Sequence, residues 1–354
     1  MPKVLMWPSL FALSIVLLVG SGACGSTARL RSTGRGDEKG GVSLRLGYFP
    51  NLTQATALIG IEKGIFERAV GPNVEVEYNV FTAGPQAVEA IFGGALDAAY
   101  IGPSPAINAF ARSRGEAIRI VSGATSGGAF LVVKPEISGP EDLLGKRVAS
   151  PQRGNTQDVA LRSWLASKGL QTDLTGGGEV SVIPQENAQT LETFRSGEIA
   201  GAWVPEPWAS RMVIEAGGKV LVDERDLWEG GRYVTTHLIV RTRFLREHPE
   251  AVEGLLRGQV EANDFVNENS EEAKALASQA IAKVTGKPMP KPVIDAAWGN
   301  LTFTNDPIAS TLRKSAEDAS KLGFFGPVDL RGIYDLDILN RLLEQAGKQG
   351  VSDR

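Results

Sequence analysis

The chain has 354 residues, 42% of them apolar, which suits about two domains with sizeable cores. A net charge of −4, with no basic stripe interleaved with aromatics, excludes nucleic acid as a partner. A single cysteine excludes a disulfide framework.

Residues 1–24 read as a secretory signal: Lys3 gives the positive start, Leu10 to Val19 the apolar run, and Ser21-Gly-Ala-Cys24 the small-residue processing site. Cys24 there resembles the cysteine of the bacterial lipobox, which is lipidated and becomes the new N-terminus. Ser21 departs from the Leu or Val usual three residues earlier, and plain signal cleavage is the alternative. Residues 25–41 are rich in Gly, Ser and charge and read as a flexible tether.

Alternation predicts strands at Val42 to Phe49 and Val74 to Phe81, and helical spacing predicts one helix from Ala55 to Phe66. Ala83-Gly84-Pro85 sets up a helix over Gln86 to Phe92. A strand at Asp97 to Ile101, a helix at Ser104 to Arg114 and a strand at Ile118 to Ser122 follow, an alternation that points to a parallel α/β sheet. Gly123 to Gly128 reads as the passage to a second unit. That unit has strands at Phe130 to Val133, Arg147 to Ala149, Val180 to Pro184 and Lys219 to Val222, with helices ending near Lys168 and over Pro207 to Ala216. His237 to Arg241 returns as a strand, and Phe244 to Gly347 is mainly helical, with Asp335 as N-cap of the last helix.

One pattern repeats. Gln86 to Tyr100 aligns without gaps on Gln189 to Trp203, an offset of 103 positions that matches Glu89 with Glu192, Gly94 with Gly197 and Tyr100 with Trp203. Each copy is a helix, a Gly stop, a short strand and a Pro loop, so two similar α/β units are expected to face each other across a cleft.

Leu46-Gly-Tyr-Phe-Pro-Asn51, Glu62-Lys-Gly-Ile-Phe66, Phe81-Thr-Ala-Gly-Pro-Gln86, Ala98-Ala-Tyr-Ile-Gly-Pro103, Asp142-Leu-Leu-Gly-Lys-Arg-Val-Ala149 and Gly201-Ala-Trp-Val-Pro-Glu-Pro-Trp208 occur in that order. This series resembles the solute-binding proteins of ABC importers, in the branch for aliphatic sulfonates, taurine, nitrate and thiamine-pyrimidine precursors. The resemblance covers roughly residues 43 to 346. It implies the α/β type II periplasmic-binding-protein fold, two lobes with a hinge closing on a ligand, no catalysis and no cofactor. The lobes are expected at 42–124 plus 240–346 and at 125–239, with a tail over 347–354. The implied setting is the outer face of the plasma membrane, or the periplasm. The implied partners are a small anion, a permease and its ATPase, with a lipid anchor in the membrane. A monomer is expected.

Cleft loops at the carboxyl ends of parallel strands nominate the ligand contacts. They are Asn51, Thr53, Gln54, Gly84, Gln86, Gly102, Ser104, Ser126, Asn155, Thr156, Gln157, Glu206, Trp208, Thr236 and His237. Several open helix N-termini, whose free N–H groups favour anions, though Ser104, Asn155 and Thr156 could simply cap their helices. Tyr48, Phe49, Tyr100, Trp203 and Trp208 are candidate apolar walls, with Trp203 reading as core and Trp208 as the better site residue. Glu206 would repel an anion unless it pairs with an arginine across the hinge or takes the ammonium of taurine. His237 reads equally as a cleft hydrogen bonder or a half-buried strand residue. No metal-ligand spacing and no nucleotide or hydrolase motif is present, which speaks against an exported enzyme on the same fold. Nitrate or a thiamine-pyrimidine precursor is the alternative to a sulfonate.

Overall fold

The computed structural model describes residues 41–353; Cys24, the signal and nearly all of the tether lie outside them. Among the described residues, eleven strands form two sheets. They are β1 (Val42–Tyr48), β2 (Val74–Val80), β3 (Ala98–Ile101), β4 (Ile118–Gly127), β5 (Ala129–Val133), β6 (Arg147–Ser150), β7 (Ser181–Pro184), β8 (Gly201–Pro205), β9 (Lys219–Asp223), β10 (Val234–Arg241) and β11 (Leu301–Phe303). The six-stranded sheet runs β11-β4-β10-β3-β1-β2 and the five-stranded sheet β7-β6-β8-β5-β9.

Both sheets are mixed rather than purely parallel. In the larger, β10 and β11 run antiparallel to their neighbours; in the smaller, β5 opposes both β8 and β9. Strand alternation explains why each sheet needs cover on both faces. Leu238 and Val240 of β10 enter one apolar cluster while Ile239 enters another. Likewise Leu131 and Val133 of β5 face one cluster and Phe130 and Val132 the other.

Helices supply that cover. The first seven are α1 (Ala55–Glu62), α2 (Ile65–Val70), α3 (Gly84–Phe92), α4 (Pro103–Arg112), α5 (Thr156–Ser167), α6 (Asn187–Ser196) and α7 (Trp208–Ala216). The carboxyl-terminal third adds α8 (Thr242–Glu247), α9 (Pro249–Glu268), α10 (Ser270–Thr285), α11 (Lys291–Trp298), α12 (Ala309–Lys321) and α13 (Asp337–Gln345).

Four expectations are corrected. The single helix over 55–66 is two, because Gly64 is left-handed (φ 59°) and folds α2 back. Gly60 permits this, since a Cβ there would lie 2.3 Å from the Phe66 ring. Second, β4 runs past its expected end at Ser122 through Gly123 to Gly127, so the passage between the sheets narrows to Gly128. Gly123 is there for close approach, as a Cβ would meet the Asp306 carbonyl oxygen at 2.2 Å. Third, Asp335 does not cap α13; Leu336 holds that position and the Asp335 N–H donates to the Ile120 carbonyl at 3.0 Å. Fourth, β11 interrupts the helical third, three residues being too few to show alternation.

The repeat folds as two equivalent units, α3 to β3 in one sheet and α6 to β8 in the other. Gly94 and Gly197, which align, both adopt positive φ (70° and 84°) after their helices. Tyr100 and Trp203 are both fully buried, each with its polar tip anchored: the Tyr100 hydroxyl donates to Gln259 Oε1 at 2.5 Å and Trp203 Nε1 donates to Glu224 Oε2 at 2.8 Å. Trp203 is core, as its strand position suggested.

Candidate functional site

A small cavity of about 30 Å³ lies where loops from both sheets meet. From the layer of the larger sheet come Phe49, Asn51, Thr53 and Gln54 after β1, Thr82, Ala83 and Gly84 at the start of α3, and Gly102 and Pro105 at the start of α4. Thr235 and Thr236 of β10 complete that side. From the smaller sheet's layer come Pro151, Asn155, Thr156 and Gln157 at the start of α5, Asn187 opening α6, and Pro205 ending β8.

Four helices, α3, α4, α5 and α6, thus direct their N-terminal turns at one small space. The first-turn N–H groups of a helix have no intrahelical partner and carry its partial positive charge. Pro85, Pro103 and Pro105 lack an N–H, so Gly84, Gln86 and Ser104 hold the backbone donors of the first turns of α3 and α4.

The loop before α5 is held from behind. The buried Asp158 carboxylate accepts from Ser150 Oγ at 2.7 Å, from the Gly154 N–H at 2.8 Å and from Arg162 Nε at 3.1 Å. Asn155 caps α5 by accepting the Asp158 N–H at 3.0 Å, and its amide donates to Gln157 at 3.2 Å. Capping and lining are therefore compatible at Asn155. Thr156 is 8% exposed, and its hydroxyl is buried without a partner. So is the amide oxygen of Asn187, also 8% exposed. An unsatisfied buried hydroxyl on a cavity wall is a donor waiting for an acceptor.

On the opposite wall Gln54 is held at both ends of its amide, accepting the Phe49 N–H at 2.6 Å and donating to the Tyr100 carbonyl at 3.2 Å. The Thr236 hydroxyl donates to the Thr53 carbonyl at 3.0 Å. The two walls touch at Gly102, where a Cβ would lie 2.2 Å from Thr156 Oγ1.

Of the residues nominated from sequence, Asn51, Thr53, Gln54, Gly84, Gly102, Asn155, Thr156, Gln157 and Thr236 line this cavity. Gln86, Ser104, Ser126, Glu206, Trp208 and His237 do not. Gln86 folds back to accept the Thr82 hydroxyl at 3.1 Å, and Trp208 reaches the wall indirectly through Asn51.

Glu206 pairs with neither an arginine nor an open cleft. It is 1% exposed, accepting from Asn300 Nδ2 at 2.7 Å and from the Ser210 hydroxyl and N–H at 2.8 and 3.1 Å. Burial pushes its pKa up against the pull of those donors. His237 is fully buried, not half-buried, with Nε2 3.1 Å from the Pro307 carbonyl, and burial lowers its pKa to about 4.

Asn187 was missed by sequence reasoning, yet a signal existed. It aligns with Gly84 at the repeat offset, and both line the cavity; Gly102 and Pro205 form a second such pair.

Two α/β layers thus meet at a small cavity lined by helix N-termini. The chain belongs to the NMT1-like family, whose model matches residues 37–282. It is 28% identical over 191 residues to the taurine-binding periplasmic protein of Escherichia coli (strain K12). That match covers 53% of this chain, and the chain spans just over half, 56%, of that relative. The alkanesulfonate-binding protein SsuA from Xanthomonas axonopodis pv. citri, solved bound to MOPS, shares the fold with a TM-score of 0.66 and 19% identity, over 80% of this chain and 92% of that one. The periplasmic nitrate-binding protein NrtA from Synechocystis PCC 6803 gives a TM-score of 0.70 and 18% identity, over 86% and 89%.

Proposed function

We propose that this chain is the exported solute-binding component of an ABC importer, capturing a small oxyanion, an aliphatic sulfonate, in the cavity between the two sheets. The observation that carries this reading is the unpartnered Thr156 hydroxyl among four converging helix N-termini. Sulfonate oxygens accept hydrogen bonds from every side, and this wall offers backbone and hydroxyl donors. The named relatives that bind taurine and alkanesulfonate support the same ligand class. Asn51, Gly84, Gly102, Asn155, Thr156 and Gln157 are the contacts we assign first, with Asn187 added.

Ligand bridging both walls favours the closed form, because its contacts exist only there. The closed form then docks on a permease that opens it and takes the ligand. Lipidation at Cys24 would tether the protein at the outer face of the membrane. The expected role is binding, not catalysis.

Calorimetric titration with short alkanesulfonates tests the proposal. A dissociation constant near 1 μM, about −8 kcal/mol, is expected. Chemical turnover of the ligand, or no binding by any sulfonate, would overturn it. The cavity's small volume gives nitrate a second claim, so nitrate belongs in the same titration series.

A further inference from the structure

The walls of the cavity carry no charge of either sign. Every lining side chain is an amide, a hydroxyl, an aromatic ring, a proline ring or smaller. Of the carboxylates near it in sequence, Glu186, beside the lining residue Asn187, is exposed and lies outside the lining, whereas Asp158 and Glu206 are already engaged. Asp158 is held by Ser150, Gly154 and Arg162, and Glu206, next to the lining residue Pro205, is held by Ser210 and Asn300. Both are buried away from the lining.

Resting on the oxyanion reading above, we propose that the cavity takes a monoanion whose remaining atoms are uncharged, an unsubstituted alkanesulfonate, and discriminates against a ligand of equal size that ends in an ammonium. The helix N-termini that stabilise the sulfonate oppose a second, positive group in the same small space. An ammonium leaving water also needs acceptors and a counter-charge. The unpartnered acceptors on the wall are the Asn187 amide oxygen and the Thr156 hydroxyl, both neutral and both at helix N-termini, where the dipole disfavours a cation.

An isosteric pair separates charge from shape. Taurine and 1-propanesulfonate have the same number of non-hydrogen atoms and differ only in a terminal ammonium against a methyl. Titrating the purified protein with each near neutral pH is expected to show 1-propanesulfonate binding roughly 100-fold more tightly. Raising the pH until the amine loses its proton should narrow that gap. Taurine binding as tightly as 1-propanesulfonate, or a gap that persists once the amine is neutral, overturns the proposal while leaving the sulfonate reading intact. Failure of both ligands to bind removes the sulfonate reading itself, and this proposal with it.

Discussion

The indole Nε1 of Trp208 donates to Asn51 Oδ1 across 2.9 Å, joining the first turn of α7 to the loop after β1. Both side chains are buried, and Asn51 lines the cavity. The bond ties the two layers together and leaves the Asn51 NH₂ as the group that residue can offer a ligand. Trp208→Phe keeps an aromatic ring, though a smaller one, and deletes the donor. Ligand affinity measured by calorimetry is expected to fall roughly tenfold, with the far-ultraviolet circular dichroism unchanged. An unaltered dissociation constant would show that the contact does nothing for closure.

Thr156→Val is nearly isosteric and removes the unpartnered hydroxyl. Because no protein group loses a partner, the melting temperature without ligand should stay within a degree or so. Sulfonate affinity should drop by about 10- to 100-fold, the value of a hydrogen bond to a charged acceptor. A fall in melting temperature without a fall in affinity would assign the hydroxyl a structural role instead.

At Gly102 the backbone is unstrained (φ −74°), so alanine there is purely a steric probe. Its Cβ would lie 2.2 Å from Thr156 Oγ1, well inside contact distance, and one wall would have to retreat. Gly102→Ala is expected to weaken binding by roughly 100-fold. Small-angle scattering should show the ligand-saturated variant more extended than the saturated parent. Equal scattering curves would mean that the contact does not set closure.

Glu224 is 2% exposed, and burial pushes its pKa up to about 7, opposed chiefly by the hydrogen bond from Trp203. A carboxyl raised above its unfolded value binds its proton more tightly in the folded state. Stability is therefore lost as pH climbs from about 4.5 to 7. Glu224→Gln keeps an acceptor for Trp203 and abolishes that slope. The variant should match the parent near pH 4.5 and exceed it by about 3 kcal/mol at pH 8 in denaturant melts. His237, neutral by burial with its pKa near 4, contributes the opposite slope between about 4 and 6.5. That slope is common to both proteins and cancels in their difference. A pH-independent difference would place the Glu224 carboxyl outside the titration.

Much of this was legible in the chain, because local patterns are written in consecutive residues. Alternation located β1 and β2, short apolar runs located most of the other strands, and the 103-residue offset announced two like units. Beneath that lay a finer message: Gly84 with Asn187, and Gly102 with Pro205, are equivalent positions that meet at one cavity. Helix N-termini could also be placed, since Gly84-Pro85 and Asn155-Thr156 mark helix starts in any context.

Contacts between residues far apart in sequence could not be read that way. Whether Glu206 faced a ligand was undecidable until Asn300, 94 residues later, was found donating to it. Gly123 fell beyond the expected strand end at Ser122, because nothing local reveals that the Asp306 carbonyl approaches it. The three-residue β11 exists because β4 offers it an edge, not because its own residues demand a strand. Sequence determined most of the helices and strands and the two-unit plan, all set by short-range periodicity and steric preference. Tertiary structure alone decided which polar groups were satisfied. A hydroxyl such as that of Thr156 becomes an unfilled donor only when burial removes water and packing supplies no acceptor.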